Sequence, residues 1–90
     1  MWTGWPAYQG YFNTEYSTYF REDGFLGVRI GDSEDYVVGV LGEPLEKVWN
    51  EGAHTYYYTW ARGKGYFYER TITFGEGVVT HKENELDFQD

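Results

Sequence analysis

The segment from Asp32 to Pro44 constrains the fold most, because it holds a helix start, an apolar stripe and a helix stop in close succession. Asp32 or Ser33 can accept hydrogen bonds from the free backbone N–H groups of a first helical turn. Gly42 tolerates the left-handed conformation that ends many helices, and Pro44 cannot continue one. These signals predict a helix at about 33–41. Its core-facing stripe consists of Val37, Val40 and Leu41.

Beyond the helix, the chain has the pattern of antiparallel strands. Segment 55–60 is rich in residues that favour strands, and a glycine-containing turn at 61–65 separates it from a second strand at 66–74. Gly75-Glu76-Gly77 fits a three-residue hairpin loop with Gly77 in the left-handed position, followed by a third strand at 78–81. We predict an α+β fold in which one or two short N-terminal helices pack on a three-stranded antiparallel meander sheet.

The first part of the chain is rich in aromatic residues but lacks a continuous pattern. Over residues 1–24 the rings recur at three- and four-residue steps, the period of one helix face, yet glycines and a proline interrupt the first half. We expect 1–12 to be irregular and 14–20 to form a short helix. We expect a turn at 22–24.

The length of the chain fits one domain, which we place at residues 1–82 with 1–24 as its aromatic segment. Residues 83–90 are predominantly acidic and polar, and we interpret them as an exposed, partly disordered tail. No apolar run is long enough to span a bilayer, and the N-terminus has no signal-peptide pattern. From these patterns we expect a cytoplasmic location for the chain as written, or a periplasmic one if an export segment has been removed.

Strand parity assigns two faces to the predicted sheet, because successive side chains of a strand point to opposite sides. The face that carries Ile72 and Phe74 is the less polar one, and we place it under the helix. It also contains Tyr56, Tyr58, Trp60, Tyr68 and Arg70. The opposite face carries two rings that the core does not need, and we predict that it binds a partner. The predicted partner-binding residues are Tyr57, Thr59, Phe67, Glu69 and Thr71.

Charge and aromatic content narrow the range of partners. The chain carries 15 acidic and 7 basic residues, which gives a formal net charge of −8. The basic residues form no run, so we expect neither nucleic acid nor an anionic membrane surface as a partner. Aromatic residues make up 22% of the chain, and half-buried tyrosines occur both in small cores and on protein-binding faces. A basic protein partner is compatible with the charge.

No pattern in the chain indicates catalysis or a cofactor. His54 and His81 are the only histidines, there is no cysteine, and neither histidine has the spacing of a metal site. We interpret both as surface imidazoles, with a meeting at Glu69 as the alternative. Arg70 interrupts the apolar face; it either extends to the sheet edge, which we favour, or pairs with a carboxylate. We therefore expect no enzyme activity, no cofactor and no metal.

Several short motifs occur in an order that is typical of one protein family. An apolar-x-apolar-Gly-x-Ser sequence precedes the helix, Leu-Gly-x-Pro closes it, and an aromatic strand, an alternating strand and Gly-Val follow. In this order, the chain resembles the SmpA/OmlA (BamE-like) family from Gln9 to Lys82. The matching segments are Gln9-Gly10-Tyr11-Phe12, Val28-Arg29-Ile30-Gly31-Asp32-Ser33, Val37, Leu41-Gly42-Glu43-Pro44, Thr55-Tyr56-Tyr57-Tyr58, Thr71-Ile72-Thr73-Phe74 and Gly77-Val78.

The resemblance implies a small non-enzymatic domain that binds a protein, as an outer-membrane assembly factor does. The layout is also similar to half of a β-lactamase inhibitor protein, which binds its target through aromatic residues on a concave sheet. Gly31, Ser33, Gly42 and Pro44 match motifs of turns and caps, so they argue for the fold and not for an activity. The family's lipid-anchored cysteine is absent from this chain.

Two functions therefore compete. The first is a protein-binding module, monomeric or weakly dimeric, that recognises its partner through the aromatic sheet face. The alternative is an acidic immunity or inhibitor protein that neutralises a basic toxin or enzyme, which the net charge of −8 suits.

Overall fold

The computed structural model describes residues 12–90, so most of the predicted irregular segment at 1–12 lies outside the described residues. The described part is an α+β fold with two antiparallel sheets and two short helices. A four-stranded sheet has the order β2-β3-β5-β6, and β1 pairs with β4 in a two-stranded sheet. The elements are β1 (Thr14–Tyr16), α1 (Glu22–Gly27), α2 (Glu34–Leu41), β2 (Glu46–Asn50), β3 (Ala53–Tyr57), β4 (Thr59–Ala61), β5 (Gly65–Gly75) and β6 (Val78–Gln89).

The helix predicted at 33–41 is confirmed as α2. The Ser33 hydroxyl accepts a hydrogen bond from the backbone N–H of Tyr36 at 3.1 Å, which caps the first turn. Gly42 ends the helix with φ +79°, and its N–H donates to the carbonyl of Val38. A Cβ at position 42 would lie 3.0 Å from the Cβ of Tyr19, so a side chain there is disfavoured by contact as well as by backbone conformation.

The short helix predicted at 14–20 is wrong, and so is the turn at 22–24. Thr14–Tyr16 forms β1 and pairs with β4, whereas Glu22–Gly27 forms α1. Between β1 and α1 the chain forms no helix: the Phe20 ring stacks on Tyr16 at a centroid distance of 5.4 Å, whereas Tyr19 is 74% exposed. Tyr16 and Tyr19 therefore do not share one helix face, although their spacing predicted one.

The large sheet has one more strand than the predicted three-stranded meander. β2 was missed because all five of its residues are exposed along the sheet edge, so they show no alternation of apolar and polar side chains. The strand predicted at 55–60 divides at Tyr58 into β3 and β4, which belong to different sheets. Residues 83–90, expected to form a tail, instead continue β6 to Gln89.

The hairpin between β5 and β6 is tighter than the predicted three-residue loop. Gly75 pairs with Val78, which leaves Glu76 and Gly77 as a two-residue loop. Both loop residues have positive φ, +54° and +83°, as in the type I′ turn that matches the twist of antiparallel strands. The left-handed conformation predicted for Gly77 is confirmed. Thr80 then forms a bulge, since the register shifts between the pairs of Phe74 and Thr73.

The core lies between the two helices and one face of the four-stranded sheet, which we call the inner face. The strand parity predicted for this face is confirmed in its centre, where Tyr56, Tyr58, Ile72 and Phe74 are buried. Trp60 departs from the prediction and is 42% exposed, because β4 has left the large sheet at this point. The buried apolar residues are Phe25, Val28, Val37, Leu41, Tyr56, Tyr58, Ile72, Phe74 and Val79.

Lys82 attaches α1 to the inner face. Its Nζ donates to the carbonyls of Phe25 and Val28 at 2.7 and 2.8 Å, at the C-terminal end of the helix. An ammonium group at this end complements the unpaired carbonyls and the helix dipole. Burial lowers the pKa of Lys82, and the charge of Asp32 opposes this change.

Phe74→Ala is expected to lower the free energy of unfolding by roughly 3–5 kcal/mol, because the surrounding core cannot close around the cavity of a fully buried ring. Phe88→Ala is the matched control, since this ring is 60% exposed, and it should cost less than about 1 kcal/mol. Urea denaturation of both variants measures the difference. Equal losses would show that the inner face is not the core.

Candidate functional site on the outer face of the sheet

The face opposite the helices, which we call the outer face, combines aromatic rings with carboxylates. The register between β5 and β6 pairs Glu69 with Glu85, Phe67 with Asp87, and Thr71 with Glu83. All of these side chains share one face because paired residues of antiparallel strands point to the same side. We call Glu69, Glu83, Glu85 and Asp87 the acidic cluster.

The carboxylates of the acidic cluster are close enough to repel one another. Oxygen atoms of Glu69, Glu85 and Asp87 lie within 4.8 Å of one another. Glu69 and Asp87 are half-buried, whereas Glu85 is exposed. Like charges that face each other across two strands destabilise a sheet. The fold therefore keeps negative charge at this position against an electrostatic cost.

The pKa values of the acidic cluster reflect this crowding. A hydrogen bond with Asp87, followed by burial and the neighbouring negative charges, raises the pKa of Glu69 to about 7. The hydrogen bond and charge of Glu83 likewise raise the pKa of Glu85. Glu83 behaves oppositely, because the His81 ring, 2.7 Å away, lowers the pKa of its carboxyl. Glu69 thus retains its proton up to near neutral pH.

Carboxylate oxygens in this arrangement attract cations. Three carboxylates could contribute oxygen ligands to a hard metal ion, although exposed acidic groups are common without one. An ammonium or guanidinium group satisfies the same oxygens through charge-assisted hydrogen bonds. What the arrangement offers chemically is therefore recognition of positive charge.

The predicted partner-binding residues do not all present a surface. Tyr57, Phe67 and Glu69 lie half-buried on the outer face, with Tyr57 paired to Thr71 across the strands. Thr71 is on the same face but is only 3% exposed. Thr59 is 1% exposed and belongs to β4, outside the four-stranded sheet. The rings of Tyr57 and Phe67 and the carboxylate of Glu69 are thus the members that line the outer face.

Thr59 completes the backbone hydrogen bonding of β5. Its hydroxyl donates to the carbonyl of Tyr68 at 2.7 Å and accepts from the N–H of Arg70 at 3.0 Å. The hydroxyl of Thr14 accepts from the N–H of Tyr68 at 2.9 Å. At the end of β3, the N–H of Tyr58 donates to the carbonyl of Arg70. Beyond this point the two threonine hydroxyls, and not a backbone strand, bond the backbone of β5. Thr59 therefore differs from the predicted exposed position because its side chain replaces a strand neighbour.

Arg70 does not extend freely to the sheet edge, as we had favoured, but pairs with a carboxylate. It is 9% exposed, and its Nε donates to Glu22 at 3.0 Å. Its Nη1 donates to the backbone carbonyls of Glu69 and Glu85, and the guanidinium lies over the Tyr68 ring. A buried charge needs such partners, and sequence did not show that Glu22 would reach it.

His54 is also not the surface imidazole that we had expected. It is 8% exposed, and the Trp49 ring stacks on it at a centroid distance of 4.1 Å. Its Nε2 lies 3.0 Å from Glu34, close enough for an ionic contact but without the alignment of a hydrogen bond. The alternative meeting with Glu69 is not formed. His81 is the exposed histidine, and it contacts Glu83.

Glu34 holds the start of α2 against the sheet. Its carboxylate accepts a hydrogen bond from the Tyr56 hydroxyl and also contacts Nε2 of His54. Burial opposes ionisation, but these two contacts dominate and lower the pKa of Glu34. Burial and the bond to Glu34 raise the pKa of Tyr56 above its ordinary range. These groups are engaged with one another, so we assign them a structural role.

A concave region lies beside the inner face. It has a volume of about 600 Å³ and contains Arg70 and Glu22, which are bonded to each other, together with aromatic walls. No histidine is among its lining residues, which are Tyr16, Ser17, Thr18, Phe20, Glu22, Tyr68 and Arg70. Its charged lining residues, Arg70 and Glu22, are therefore engaged with each other.

Sequence reasoning missed three members of the acidic cluster, although a signal was present. Glu83, Glu85 and Asp87 alternate with Asn84, Leu86 and Phe88, which is the two-residue period of a strand. The acidic composition of residues 83–90 favours a tail, but this alternation indicates a strand. In the structure, the three acidic residues lie on the outer face of β6, and the residues between them lie on its inner face.

Comparisons with family models, with curated proteins and with solved structures found no match to this chain. The similarity to the SmpA/OmlA family therefore stays a resemblance of short motifs. Among residues 12–90, no helix is long and apolar enough to cross a membrane.

Glu69→Gln is expected to change how stability depends on pH. Because the folded pKa of Glu69 is raised from 4.5 to about 7, the unfolded chain ionises first, and stability falls as pH rises through this window. The variant should lose this fall and be more stable than the parent by about 1 kcal/mol at pH 8, since water screens much of the repulsion at a half-buried site. Urea midpoints at pH 5 and pH 8 measure the effect; parallel profiles for the two proteins would contradict the raised pKa of Glu69.

Thr59→Val is expected to cost roughly 1–3 kcal/mol of unfolding free energy, because it leaves the buried N–H of Arg70 and carbonyl of Tyr68 without a partner. Thr80→Val is the control, since its hydroxyl makes one bond at an exposed position and should matter by less than about 0.5 kcal/mol. Thermal and urea unfolding give both values. If Thr59→Val is as mild as the control, water or a neighbour must satisfy β5 instead.

Proposed function

We propose that this domain is a non-enzymatic protein-binding module that captures a basic segment of a partner protein on its outer face. The acidic cluster carries the proposal. Its carboxylates come from two strands and converge on one patch, with oxygens of three of them within 4.8 Å of one another. Positive charge from a partner would relieve their repulsion, so part of the electrostatic cost of folding is recovered on binding.

The charge of the whole chain acts in the same direction. A net charge of −8 accelerates the association with a basic protein. The acidic cluster then determines on which face of the domain the partner binds. The proton that Glu69 holds near neutral pH is released when a cation replaces it, because an opposite charge lowers the pKa of a carboxyl. Binding should therefore be accompanied by proton release at pH 7.

Aromatic rings beside the cluster supply the apolar part of the surface. Phe67 is paired with Asp87, and Tyr57 lies on the neighbouring strand β3. Both are half-buried, so their rings are held by the sheet and lose little freedom on binding. Aromatic residues, tyrosine among them, are enriched among the residues that dominate binding energy.

The acidic cluster bears on the choice between the two functions derived from the sequence. An assembly factor of the kind that the SmpA/OmlA resemblance implies needs a protein-binding face but no particular charge. An acidic inhibitor of a basic toxin or enzyme needs concentrated carboxylates, because they oppose the partner's cationic surface. The arrangement favours the inhibitor type of binding within the same proposal.

A charge-matched pair of variants tests the proposal. The cluster variant combines Glu83→Gln, Glu85→Gln and Asp87→Asn; the control combines Glu43→Gln, Glu51→Gln and Glu76→Gln at exposed positions away from the cluster. Both raise the net charge by three. With a fluorescent oligolysine peptide as probe, the cluster variant should bind at least about tenfold more weakly than the parent, and the control less than about threefold.

Fluorescence anisotropy at two salt concentrations measures these affinities, and circular dichroism confirms that both variants are folded. Equal weakening of the two variants would mean that the probe responds only to net charge, which would overturn the assignment of the outer face.

A further inference from the structure

β6 lies at an edge of the four-stranded sheet. The hydrogen bonds of β5 show which backbone groups of β6 point away from the sheet. The N–H of Tyr58 donates to the carbonyl of Arg70, so the backbone groups of Arg70 point towards β3. Arg70 is paired with Asn84, which must then direct its own N–H and C=O away from β5. The same holds for every second residue along β6, namely Lys82, Asn84, Leu86 and Phe88.

These outward backbone groups have no partner within residues 12–90: no backbone hydrogen bond joins Lys82, Asn84, Leu86 or Phe88 to another described element on this edge. An unpaired edge of this length is a template for another strand. Within the described part of the chain, the sheet therefore ends beside the acidic cluster in a row of unpaired backbone donors and acceptors, which we call the free row.

The chain itself already occupies the other end of the same edge. The N–H of Gly31 donates to the carbonyl of Val79 at 2.8 Å, and the N–H of Val79 donates to the carbonyl of Asp32 at 2.8 Å. Ser33 forms an antiparallel bridge with Val78. This edge thus accepts an antiparallel segment at its beginning, and the bulge at Thr80 separates that part from the free row.

Side chains along the free row specify what a further strand would carry. On the outer side lie Glu83, Glu85 and Asp87, which favour lysine or arginine at the facing positions. On the inner side, Leu86 and Phe88 are 39% and 60% exposed and favour apolar residues. A second copy of this chain does not fit, because pairing two β6 edges would bring carboxylates against carboxylates.

Building on the proposed function, we propose that the partner binds by strand addition. An extended segment with alternating basic and apolar residues pairs antiparallel with β6 from Lys82 to Phe88, and its basic side chains lie on the acidic cluster. Main-chain hydrogen bonds then supply affinity, and the two faces supply specificity. The apolar residues are the ones whose N–H groups bond β6, because directly opposed residues share a face and the free groups of β6 belong to its inner-facing residues.

N-methylation of a peptide tests this register. The probe is an acetylated, amidated octapeptide of alternating lysine and valine, titrated into the intact chain. Methylation of the valine nitrogens should weaken binding at least about tenfold, because it removes the donors that face β6, whereas methylation of the lysine nitrogens should change it by less than about threefold. The two methylated peptides have the same charge and composition, so each is the control of the other.

Amide hydrogen exchange supplies a second readout on the unmodified protein. Binding of the parent peptide should slow exchange at Lys82, Asn84, Leu86 and Phe88. Glu83 and Glu85 should change little, because their amides already face β5.

The possible outcomes separate this inference from the proposed function. If both methylated peptides bind as tightly as the parent while the cluster variant still weakens binding, strand addition is overturned and capture of a basic segment stands. If sensitivity moves to the lysine nitrogens, the antiparallel arrangement is overturned. If the parent peptide does not bind although oligolysine does, strand addition is likewise overturned. Loss of the difference between cluster and control variants overturns both proposals.

Discussion

The structure depends on the hydrogen bonding of β5 along both of its edges. β5 runs from Gly65 to Gly75 and is the only strand of the described residues that contacts β3, β4 and β6. Buried backbone N–H and C=O groups need hydrogen-bond partners. Where a strand extends beyond the end of its neighbour, other groups must therefore supply these partners. When β3 ends at Tyr57, the hydroxyls of Thr14 and Thr59 provide them, and the small β1-β4 sheet is thereby fixed to the large one.

The extension of β5 also determines the surface that we assign to function. Because β5 continues to Gly65, β6 can pair with it as far as Gln89. The acidic residues of the C-terminal segment then stand in register with Glu69 instead of dispersing in solvent. The raised pKa of Glu69 reduces the resulting electrostatic cost, because this carboxyl stays partly protonated near neutral pH. The same crowding makes the patch receptive to positive charge.

Two groups that looked isolated in sequence acquired partners from distant elements. Arg70 pairs with Glu22 in α1, and His54 contacts Glu34 at the start of α2. Neither carboxylate is near its partner in the chain, and neither pairing follows from strand parity. The resulting contacts fix both helices to the inner face, in addition to the packing of the buried apolar residues.

The sequence by itself determined the features that depend on short-range interactions. Ser33 and Gly42 bound α2, Gly77 turns the β5-β6 hairpin, and the parity of Ile72 and Phe74 identifies the core face, since each depends on neighbours a few residues away. Only the tertiary structure decided that Thr59 bonds β5 and that three acidic residues face Glu69 across two strands. Those outcomes require the register between strands, which depends on the packing of the whole sheet and not on the local preferences of any one segment.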